Sequence, residues 1–398
     1  GDATDELFAL LAREPSRPPR QVVLTTRVRR DLSEFPSPAY EMAQLSRYFL
    51  GSIQFSSGCP YQCEFCDIPA LYGRNPRYKT AEQITGELDK MLACGLSGAV
   101  YFVDDNFIAN RRATRDLLPH LVEWQKRRNY PLILSCEATL NIAKRPEILE
   151  LMREAAFETI FCGIETPDPD ALKSISKEHN NMVPIYEAIE TLNRYGMEVV
   201  SGIILGLDTD KPDTGAHLLE FIERTNIPLL TINLLQALPR TPLWDRLKRE
   251  QRLIEDEGNA LESNVAFRLP YDQVVSMWQE CMRKAYAPEA LYARYEHQAQ
   301  VTFPNRLNLK DSAMNAPTWK NLRRGAIFIS RIVWYVGLRG DYRRVFWRFA
   351  WRRLRQGQIG ELIGSALVAH HLIMFAREAP SGRRNASNYN YKQRTALV

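Results

Sequence analysis

Three cysteines in one short loop are the residues of this chain best suited to chemistry. The stretch 55-FSSGCPYQCEFCDIPAL-71 carries Cys59, Cys63 and Cys66 in a C-x3-C-x2-C spacing. A disulfide framework uses an even number of cysteines, and a closed zinc site usually has four nitrogen or sulfur ligands. Three thiolates can instead hold three irons of a [4Fe–4S] cube and leave the fourth iron open to a small ligand. The alternative is a zinc or redox site completed by a histidine, but no histidine lies within fifty residues of the loop.

The elements around this loop follow an alternating pattern. Short apolar runs rich in β-branched residues alternate with longer amphipathic stretches between about residues 48 and 240. Such alternation predicts parallel strands joined by helical crossovers. We therefore expect an α/β fold, a partial (β/α)6 barrel, followed by a mostly helical C-terminal domain.

Polar residues stand where the predicted strands end. The apolar runs finish at Asp104, Asp105 and Asn106, then at Glu137, and then at Glu165. In a barrel of parallel strands the carboxyl ends form one rim, where ligands bind. The cysteine loop follows the first strand, so we expect it to lie on the same rim as these polar side chains.

The cysteine loop resembles the signature of the radical S-adenosylmethionine (SAM) superfamily. The resemblance rests on the cysteine spacing, on Phe65 just before the last cysteine, and on the strand that precedes the loop. It implies that Cys59, Cys63 and Cys66 ligate a [4Fe–4S] cluster whose fourth iron is chelated by SAM. In that family, reductive cleavage of SAM gives a 5′-deoxyadenosyl radical that abstracts hydrogen from the substrate. The protein itself supplies orientation and a dry site.

The same resemblance implies contacts to SAM along the rim. The stretch 103-VDDNF-107 occupies the place of a motif that binds the methionine amino group, and Glu137 resembles a residue that contacts the ribose. The stretch 163-GIET-166 resembles a G-I-E-S stretch that faces the nucleoside or the substrate, and two glycines in 202-GIILG-206 would let the adenine approach the backbone. Each position also has a structural alternative, such as a capped strand end or a salt-bridged carboxylate. The implied cofactor-binding residues are Phe65, Asp104, Asp105, Asn106, Glu137, Glu165, Gly202 and Gly206.

Longer stretches of the chain resemble one branch of that superfamily. The segments DLSEFPSPAYE, FVDDNFIANRR and residues 270–298 are similar to the cobalamin-associated radical enzymes, closest to the group of the hopanoid C-2 methylase and the bacteriochlorophyll-pathway methylases. In that group a cobalamin-binding domain precedes the barrel. Its D-x-H-x-x-G motif is absent here, so we expect that domain to be missing from this chain or supplied by another one.

This branch implies methyl transfer from methylcobalamin to an unactivated carbon of a hopanoid-like lipid or other polycyclic substrate. Two alternatives remain open at this point. One is a cobalamin-independent radical oxidase or cyclase that uses the same barrel. The other is a non-catalytic protein that carries a cluster as an electron carrier or scaffold. Fold and motif indicate the radical chemistry more strongly than they indicate the acceptor.

Composition divides the chain into four expected segments. Residues 1–46 contain a proline-rich, basic connector and are predicted to be a linker with the remnant of a preceding cobalamin-binding domain. Residues 47–245 are predicted to form the radical SAM barrel, and residues 246–376 the helical domain. Residues 377–398 have the composition of a disordered tail. Helices within 241–300 are expected to pack near the barrel mouth.

The C-terminal region is strongly basic. Residues 319–376 hold eleven Lys and Arg against two Asp and Glu, a net charge of +9. In the stretch 341–355, Phe346, Phe349 and Ala350 share one helix face and several arginines share another. This pattern fits an interfacial membrane helix with its apolar side in the lipid. The alternative is a helical cap on the barrel with solvated arginines.

Partners and compartment follow from these features. No apolar run is long enough to span a membrane, the N-terminus lacks a signal peptide, and the cysteine count of 7 is odd, which favours a reducing compartment. We expect a cytoplasmic enzyme, with peripheral membrane contact if residues 326–376 lie on lipid. The expected partners are a small, lipid-like substrate and an electron donor such as flavodoxin or ferredoxin. Nucleic acid is not expected, because no RNA-binding domain accompanies the basic segment.

Overall fold

A computed structural model of the protein describes residues 2–13, 21–24, 29–254 and 263–378. Its centre is one sheet of six strands, in which all neighbouring strands are parallel and follow one another in sequence order. This confirms the predicted α/β partial barrel. The strands are β1 (Leu50–Ile53), β2 (Gly98–Phe102), β3 (Leu132–Glu137), β4 (Phe157–Glu165), β5 (Glu198–Leu205) and β6 (Leu229–Leu234).

Helices connect the strands and build the C-terminal domain. Several begin where the sequence provides a cap: the Thr80 side chain accepts a hydrogen bond from the backbone N–H of Gln83, whose own side chain completes a capping box. The Asn110 side chain caps the next long helix by accepting hydrogen bonds from the backbone N–H groups of Arg112 and Ala113. The helices are α1 (Thr4–Arg13), α2 (Ile68–Tyr72), α3 (Ala81–Ala93), α4 (Arg111–Arg127), α5 (Pro146–Glu154), α6 (Pro169–Ser174), α7 (Ile185–Arg194), α8 (Thr214–Thr225), α9 (Pro242–Arg249), α10 (Tyr271–Ala285), α11 (Pro288–Val301), α12 (Trp319–Ile332), α13 (Arg343–Arg355) and α14 (Ile359–Glu378).

The interior of the half-barrel is filled by large apolar side chains. Phe102 at the end of β2, Phe107 in the loop after it and Phe157 at the start of β4 are buried, with ring centroids 5.2 to 5.6 Å apart. On the outer side of the sheet, α3 buries Ile84 and Leu88. The sheet is therefore covered on both faces, as parallel sheets usually are.

The C-terminal helices meet the barrel at the amino ends of its strands. The Arg324 guanidinium of α12 donates to the backbone carbonyl of Ser97, just before β2, at 3.1 Å. The ring of Phe328 lies edge-on to Phe49, just before β1, with centroids 6.2 Å apart. The expectation that helices of residues 241–300 pack near the barrel mouth holds for α9, whereas α10 packs on α8 and β6.

The helix α13 turns its apolar face inward. Phe346, Phe349 and Ala350 are buried, and the two phenylalanine rings pack against Tyr292 of α11. Arg353 is buried beside them and donates to Glu296 at 2.8 Å. The prediction that this apolar face enters lipid is therefore wrong, because the neighbouring helix already covers it.

The last described helix, α14, is the one candidate for a membrane span among the described residues. Its mean hydropathy over an 18-residue window is 1.5, but 39% of that window is buried within the protein. Core helices of soluble proteins share this length and composition. The predicted disordered tail begins inside this helix, since Arg377 and Glu378 are helical, and residues 379–398 lie outside the described residues. The predicted boundary at residue 245 falls inside α9.

Candidate functional site

The cysteine loop leaves the carboxyl end of β1 and is held by the loop after β2. The carboxylate of Asp104 accepts hydrogen bonds from the backbone N–H groups of Phe55, at 3.2 Å, and Ser56. Asp105 accepts from the N–H of Gly58 at 3.0 Å. Gly58 lies immediately before Cys59, so both aspartates fix the backbone on which the first cysteine stands.

A second set of contacts holds the loop from the other side. The N–H of Glu64 donates to the carbonyl of Ile175 at 2.9 Å, and its own carbonyl accepts from Leu243 at 2.9 Å. The Arg246 guanidinium of α9 binds both carboxylate oxygens of Glu64, at 2.5 and 3.0 Å, and also Asp208 at 2.6 Å. Glu64 lies between Cys63 and Cys66, so α9 and the loop after β5 restrain the part of the loop that carries these two thiols.

The three thiols share one partly buried environment. Burial raises the pKa of Cys59 and Cys63, and it raises the pKa of Cys66 to about 11. The ammonium of Lys177 acts in the opposite direction on the pKa of all three. Thiols in such a site become thiolates when they bind metal, because the metal displaces the proton. Without a bound metal, burial thus disfavours the thiolate form of these cysteines.

Lys177 is a site residue that the sequence did not indicate. It is buried, pairs with Glu165 at the end of β4, and lies with its ammonium 5.5 Å from the centroid of the Phe65 ring. A side chain on Gly163 would come within 2.7 Å of this ammonium, so glycine there makes room for the pair. Glu165 itself has a φ of +65°, a strained value for a non-glycine residue that is often found at functional sites. The sequence does not indicate that Lys177 reaches the site, since this residue follows a helix and a turn and no recognisable motif surrounds it.

The other predicted rim residues lie nearby with different partners. Glu137 accepts a hydrogen bond from the hydroxyl of Tyr101 at 3.0 Å, and burial raises the pKa of its carboxyl. Asp105 is close enough to raise the pKa of both Glu137 and Cys59. The side-chain amide of Asn106 is buried and makes no hydrogen bond to any residue that the structure describes. Buried polar groups are nearly always paired, so this amide is a candidate for contact with a ligand.

The two glycines of β5 and its following turn have distinct surroundings. A side chain on Gly202 would lie 3.3 Å from the ring of Phe161 and 3.7 Å from Glu165, so this position keeps space beside the rim carboxylate. Gly206 has a φ of +93° and its open side is occupied by the ring of Phe267. Its N–H donates to Asp210 at 2.7 Å. Gly206 therefore serves the turn and the packing of Phe267.

Two openings adjoin the cysteine loop. The first is a cavity of about 170 Å³ whose apolar wall includes Phe65, Ile175, Leu207 and Leu235, with the Glu64–Arg246 pair at its edge. Its lining is mostly apolar, with the charged side chain of Asp208 also present. The second is wider, about 450 Å³, and reaches Cys66. It is lined in part by the basic residues Arg74, Arg240 and Arg249.

A histidine also lies beside the loop, although it is far away in sequence. The ring of His179 stacks on Tyr61, with centroids 3.8 Å apart and an angle of 12° between the planes. Burial, assisted by Lys177, lowers the pKa of this imidazole to about 4. The argument from sequence distance against a nearby histidine is therefore wrong. Even so, no three His, Cys, Asp or Glu side chains in the described part of the chain are arranged to hold a single metal ion.

The donor set fits a [4Fe–4S] cluster with SAM better than it fits a zinc ion. In a [4Fe–4S] cluster each cysteine thiolate binds a different iron. The three sulfur atoms therefore need not converge on one point, as the ligands of a single zinc ion must. The loop offers three thiols, an adjoining apolar cavity and an unpaired buried amide. The predicted rim residues and the cysteine loop are thus brought to one end of the barrel.

Comparison with known proteins agrees with this geometry. The radical SAM superfamily matches residues 53–222, and a domain of unknown function, DUF4070, matches residues 241–385. The hopanoid C-2 methylase of Rhodopseudomonas palustris (strain TIE-1) is 62% identical over 398 residues, which is 100% of this chain and 75% of that protein. An uncharacterized methyltransferase of Synechocystis sp. is 36% identical over 330 residues, covering 82% of this chain and 60% of that one.

A solved structure supports the fold over the whole chain. The cobalamin-dependent SAM radical enzyme OxsB, with aqua-cobalamin and SAM bound, superposes with a TM-score of 0.54 over 97% of this chain and 65% of its own. Its sequence identity is 14%, so the likeness concerns the fold. The expected cofactors, SAM and a [4Fe–4S] cluster, are those of the superfamily. From the 62% identity and its coverage, the chain belongs to the radical SAM methyltransferase family of the hopanoid C-2 methylase.

Proposed function

We propose that this protein methylates an unactivated carbon of a hopanoid-like lipid or related polycyclic substrate by radical SAM chemistry. The observation that carries the proposal is the 62% identity to the hopanoid C-2 methylase, which runs through the barrel and the C-terminal domain alike. An intact loop with Cys59, Cys63 and Cys66 supports catalysis over a scaffold role.

The residues have separate tasks in this proposal. Cys59, Cys63 and Cys66 would hold the cluster, which with bound SAM supplies a 5′-deoxyadenosyl radical for hydrogen abstraction. Asp104 and Asp105 fix the loop backbone through the N–H groups of Phe55, Ser56 and Gly58.

The pockets and charges around the loop fit the parts of SAM. The apolar wall of Phe65, Leu207 and Leu235 suits the nucleoside, and the unpaired Asn106 amide can accept from the methionine ammonium. Lys177 places a buried positive charge beside the thiols, where it favours their ionised form and binds anionic groups. The attraction between this ammonium and the thiolates is strong because both groups are screened from water by burial.

Cobalamin is the methyl carrier of this lineage, and we expect it to be bound outside the described residues. The described residues before β1 form one α-helix and three short 3-10 turns, and they contain no strand from which a cobalamin-binding sheet could be built.

An acidic one-electron donor such as flavodoxin or ferredoxin would use the wider opening. That opening reaches Cys66 and carries Arg74, Arg240 and Arg249 against one acidic lining residue, Asp245. Complementary charge speeds the encounter of two proteins and fixes their orientation. The odd cysteine count of 7 also favours a reducing, cytoplasmic location, where such donors are found.

The test is production of a methylated lipid in cells. The protein would be expressed from its natural gene in a hopanoid-producing bacterium that lacks its own C-2 methylase, beside a Cys66→Ala variant. We expect hopanoids carrying one additional methyl group, detected by mass spectrometry, with the wild type only. Formation of 5′-deoxyadenosine by the purified protein without any methylated product would favour a radical oxidase or cyclase. Failure to cleave SAM at all would favour an electron carrier.

A further inference from the structure

The outer surface of the C-terminal domain exposes tryptophans beside arginines. A π-helix (Val333–Leu338) joins α12 to the loop before α13. Trp334 on this π-helix is 48% exposed, and Trp351 on α13 is 57% exposed. Contiguous exposed apolar patches mark interaction sites more often than single exposed rings do. We call the surface formed by Trp334, Arg339, Trp347, Arg348, Trp351 and Arg355 the Trp–Arg face.

Packing joins the two segments of this face into one surface. The indole N–H of Trp347 donates to the carbonyl of Gly337 at 2.9 Å. A side chain on Gly337 would lie 2.9 Å from the same indole, so the ring rests directly on the π-helix. Trp351 follows Trp347 by one helical turn, and Arg348 and Arg355 lie within a turn of Trp351. Trp347 thereby connects the π-helix with the outer side of α13.

The charge of this region is almost entirely positive. Residues 331–355 contain eight arginines, of which Arg353 is buried against Glu296, and one acidic residue, Asp341, which pairs with Arg377 at 2.9 Å. Guanidinium groups also lie over the exposed rings, Arg339 at 4.6 Å from the centroid of Trp334 and Arg355 at 5.1 Å from that of Trp351. Positive charge and aromatic surface are thus presented at the same place.

We infer that the Trp–Arg face binds the surface of a bilayer that contains anionic phospholipid. Tryptophan is the side chain that most favours the boundary between lipid and water, and arginine is attracted to anionic headgroups. Tryptophan and arginine are also enriched at protein interfaces, and the excess of positive charge on this face favours the anionic bilayer over a protein. The surface differs from the apolar face of α13, which is buried against Tyr292.

The position of this surface gives it a tethering role. The preceding helix, α12, contacts the amino ends of β1 and β2, whereas the cysteine loop is at the carboxyl ends. Docking would therefore bring the enzyme to the membrane without covering the barrel mouth. The inference rests on the proposed function in one respect: a lipid substrate gives the tether its purpose.

The test is flotation of the purified full chain with vesicles, in the absence of cluster and SAM. One vesicle preparation is phosphatidylcholine alone, and the other is equal parts phosphatidylcholine and phosphatidylglycerol. We expect the protein to float with the anionic vesicles, and to float less as salt is added. Since binding needs neither cluster nor substrate, a protein that floats but makes no methylated lipid would contradict the proposed function and leave this inference intact.

Two variants and a matched control define the surface. Arg339→Glu/Arg348→Glu/Arg355→Glu should weaken partition into anionic vesicles by on the order of a hundredfold. Trp334→Gln/Trp351→Gln should weaken it by at least about tenfold.

The control Lys144→Glu/Lys211→Glu/Lys310→Glu makes the same change in net charge at exposed positions elsewhere and should bind as the wild type does. The inference is overturned if the wild type does not float, or if the control loses as much binding as the arginine variant. It is also overturned if the tryptophan variant abolishes a dimer in sedimentation while vesicles bind neither protein, since the face would then join two copies of the chain.

Discussion

The ammonium of Lys177 lies against the carboxylate of Glu165, and both groups are buried beside the cysteine loop. Burial alone would lower the pKa of Lys177, but Glu165 together with the thiols of Cys63 and Cys66 raises it. Lys177 therefore keeps its positive charge beside the cysteine thiols. The Glu165 carboxylate at the end of β4 is its counter-ion.

Removal of one partner should be costly. Lys177→Met leaves the Glu165 carboxylate buried without a counter-ion, and we expect it to lower the free energy of unfolding by about 3–5 kcal/mol. The double variant Lys177→Met/Glu165→Gln should recover much of that loss. Urea unfolding under reducing conditions measures both. Lys173→Met, an exposed change nearby, is the control and should cost less than about 0.5 kcal/mol. A loss of similar size in Lys173→Met and Lys177→Met would contradict the account.

The Arg246 contact should control how well the loop keeps its cluster. Arg246→Met removes two charge-assisted hydrogen bonds to Glu64 and one to Asp208, each contributing about 1.5–3 kcal/mol. The loop between Cys63 and Cys66 then loses its restraint, so we expect less iron per chain after reconstitution and faster loss of iron to a chelator. Lys248→Met on the exposed side of the same helix should behave as the wild type. Equal iron retention by Arg246→Met and the wild type would show that the contact does not restrain the loop.

Gly206 should tolerate no side chain. Gly206→Ala must adopt a φ near +93° and meet the ring of Phe267, so we expect a loss of more than about 1–2 kcal/mol in the free energy of unfolding. When Phe267 is also replaced by alanine, the clash with the ring is removed. The loss should then fall to the cost of placing an alanine at a positive φ. Gly86→Ala in α3, where a side chain meets nothing within 4 Å, should instead stabilise by up to about 1 kcal/mol. A neutral Gly206→Ala would contradict the described turn.

Asp104 should make stability depend on pH. Burial raises the pKa of its carboxyl from 3.8 to about 7. The folded state then holds this proton more tightly than the unfolded chain, so the free energy of unfolding should fall as pH rises from about 4 to about 7, with no further change from this group outside that window. Asp104→Asn removes the titration. Between about pH 4 and pH 7 the free energy of unfolding of Asp104→Asn should rise by about 2–4 kcal/mol relative to that of the wild type, as measured by urea titration. If the free energies of unfolding of the two proteins changed with pH in parallel, Asp104 would not be the titrating group.

The sequence was informative where a pattern has one physical solution. Apolar runs separated by amphipathic helices can bury themselves only as parallel strands, and the six strands occur in sequence order. Rim residues such as Glu137 and Glu165 were predictable because the ends of parallel strands meet. Lys177 and His179 were not, since each reaches the cysteine loop through a connection whose path no local pattern encodes.

Amphipathic patterns were a weaker guide in the C-terminal domain. The pattern of α13 shows that Phe346 and Phe349 share a side, but it does not say whether lipid or protein covers that side. In the structure Tyr292 covers it, and the exposed surface is built from Trp347 and Trp351 together with a separate π-helix. A surface assembled from two segments cannot be recognised from the periodicity of one helix.

In the proposed function the three thiolates carry a [4Fe–4S] cluster with one iron open to SAM. The most direct measurement is a low-temperature EPR spectrum of the anaerobically reconstituted and reduced chain, recorded with and without SAM. The account predicts a [4Fe–4S]⁺ signal that changes when SAM is added and that is absent from the Cys66→Ala variant. A protein that takes up no iron, or a cluster signal that SAM leaves unchanged, would contradict it.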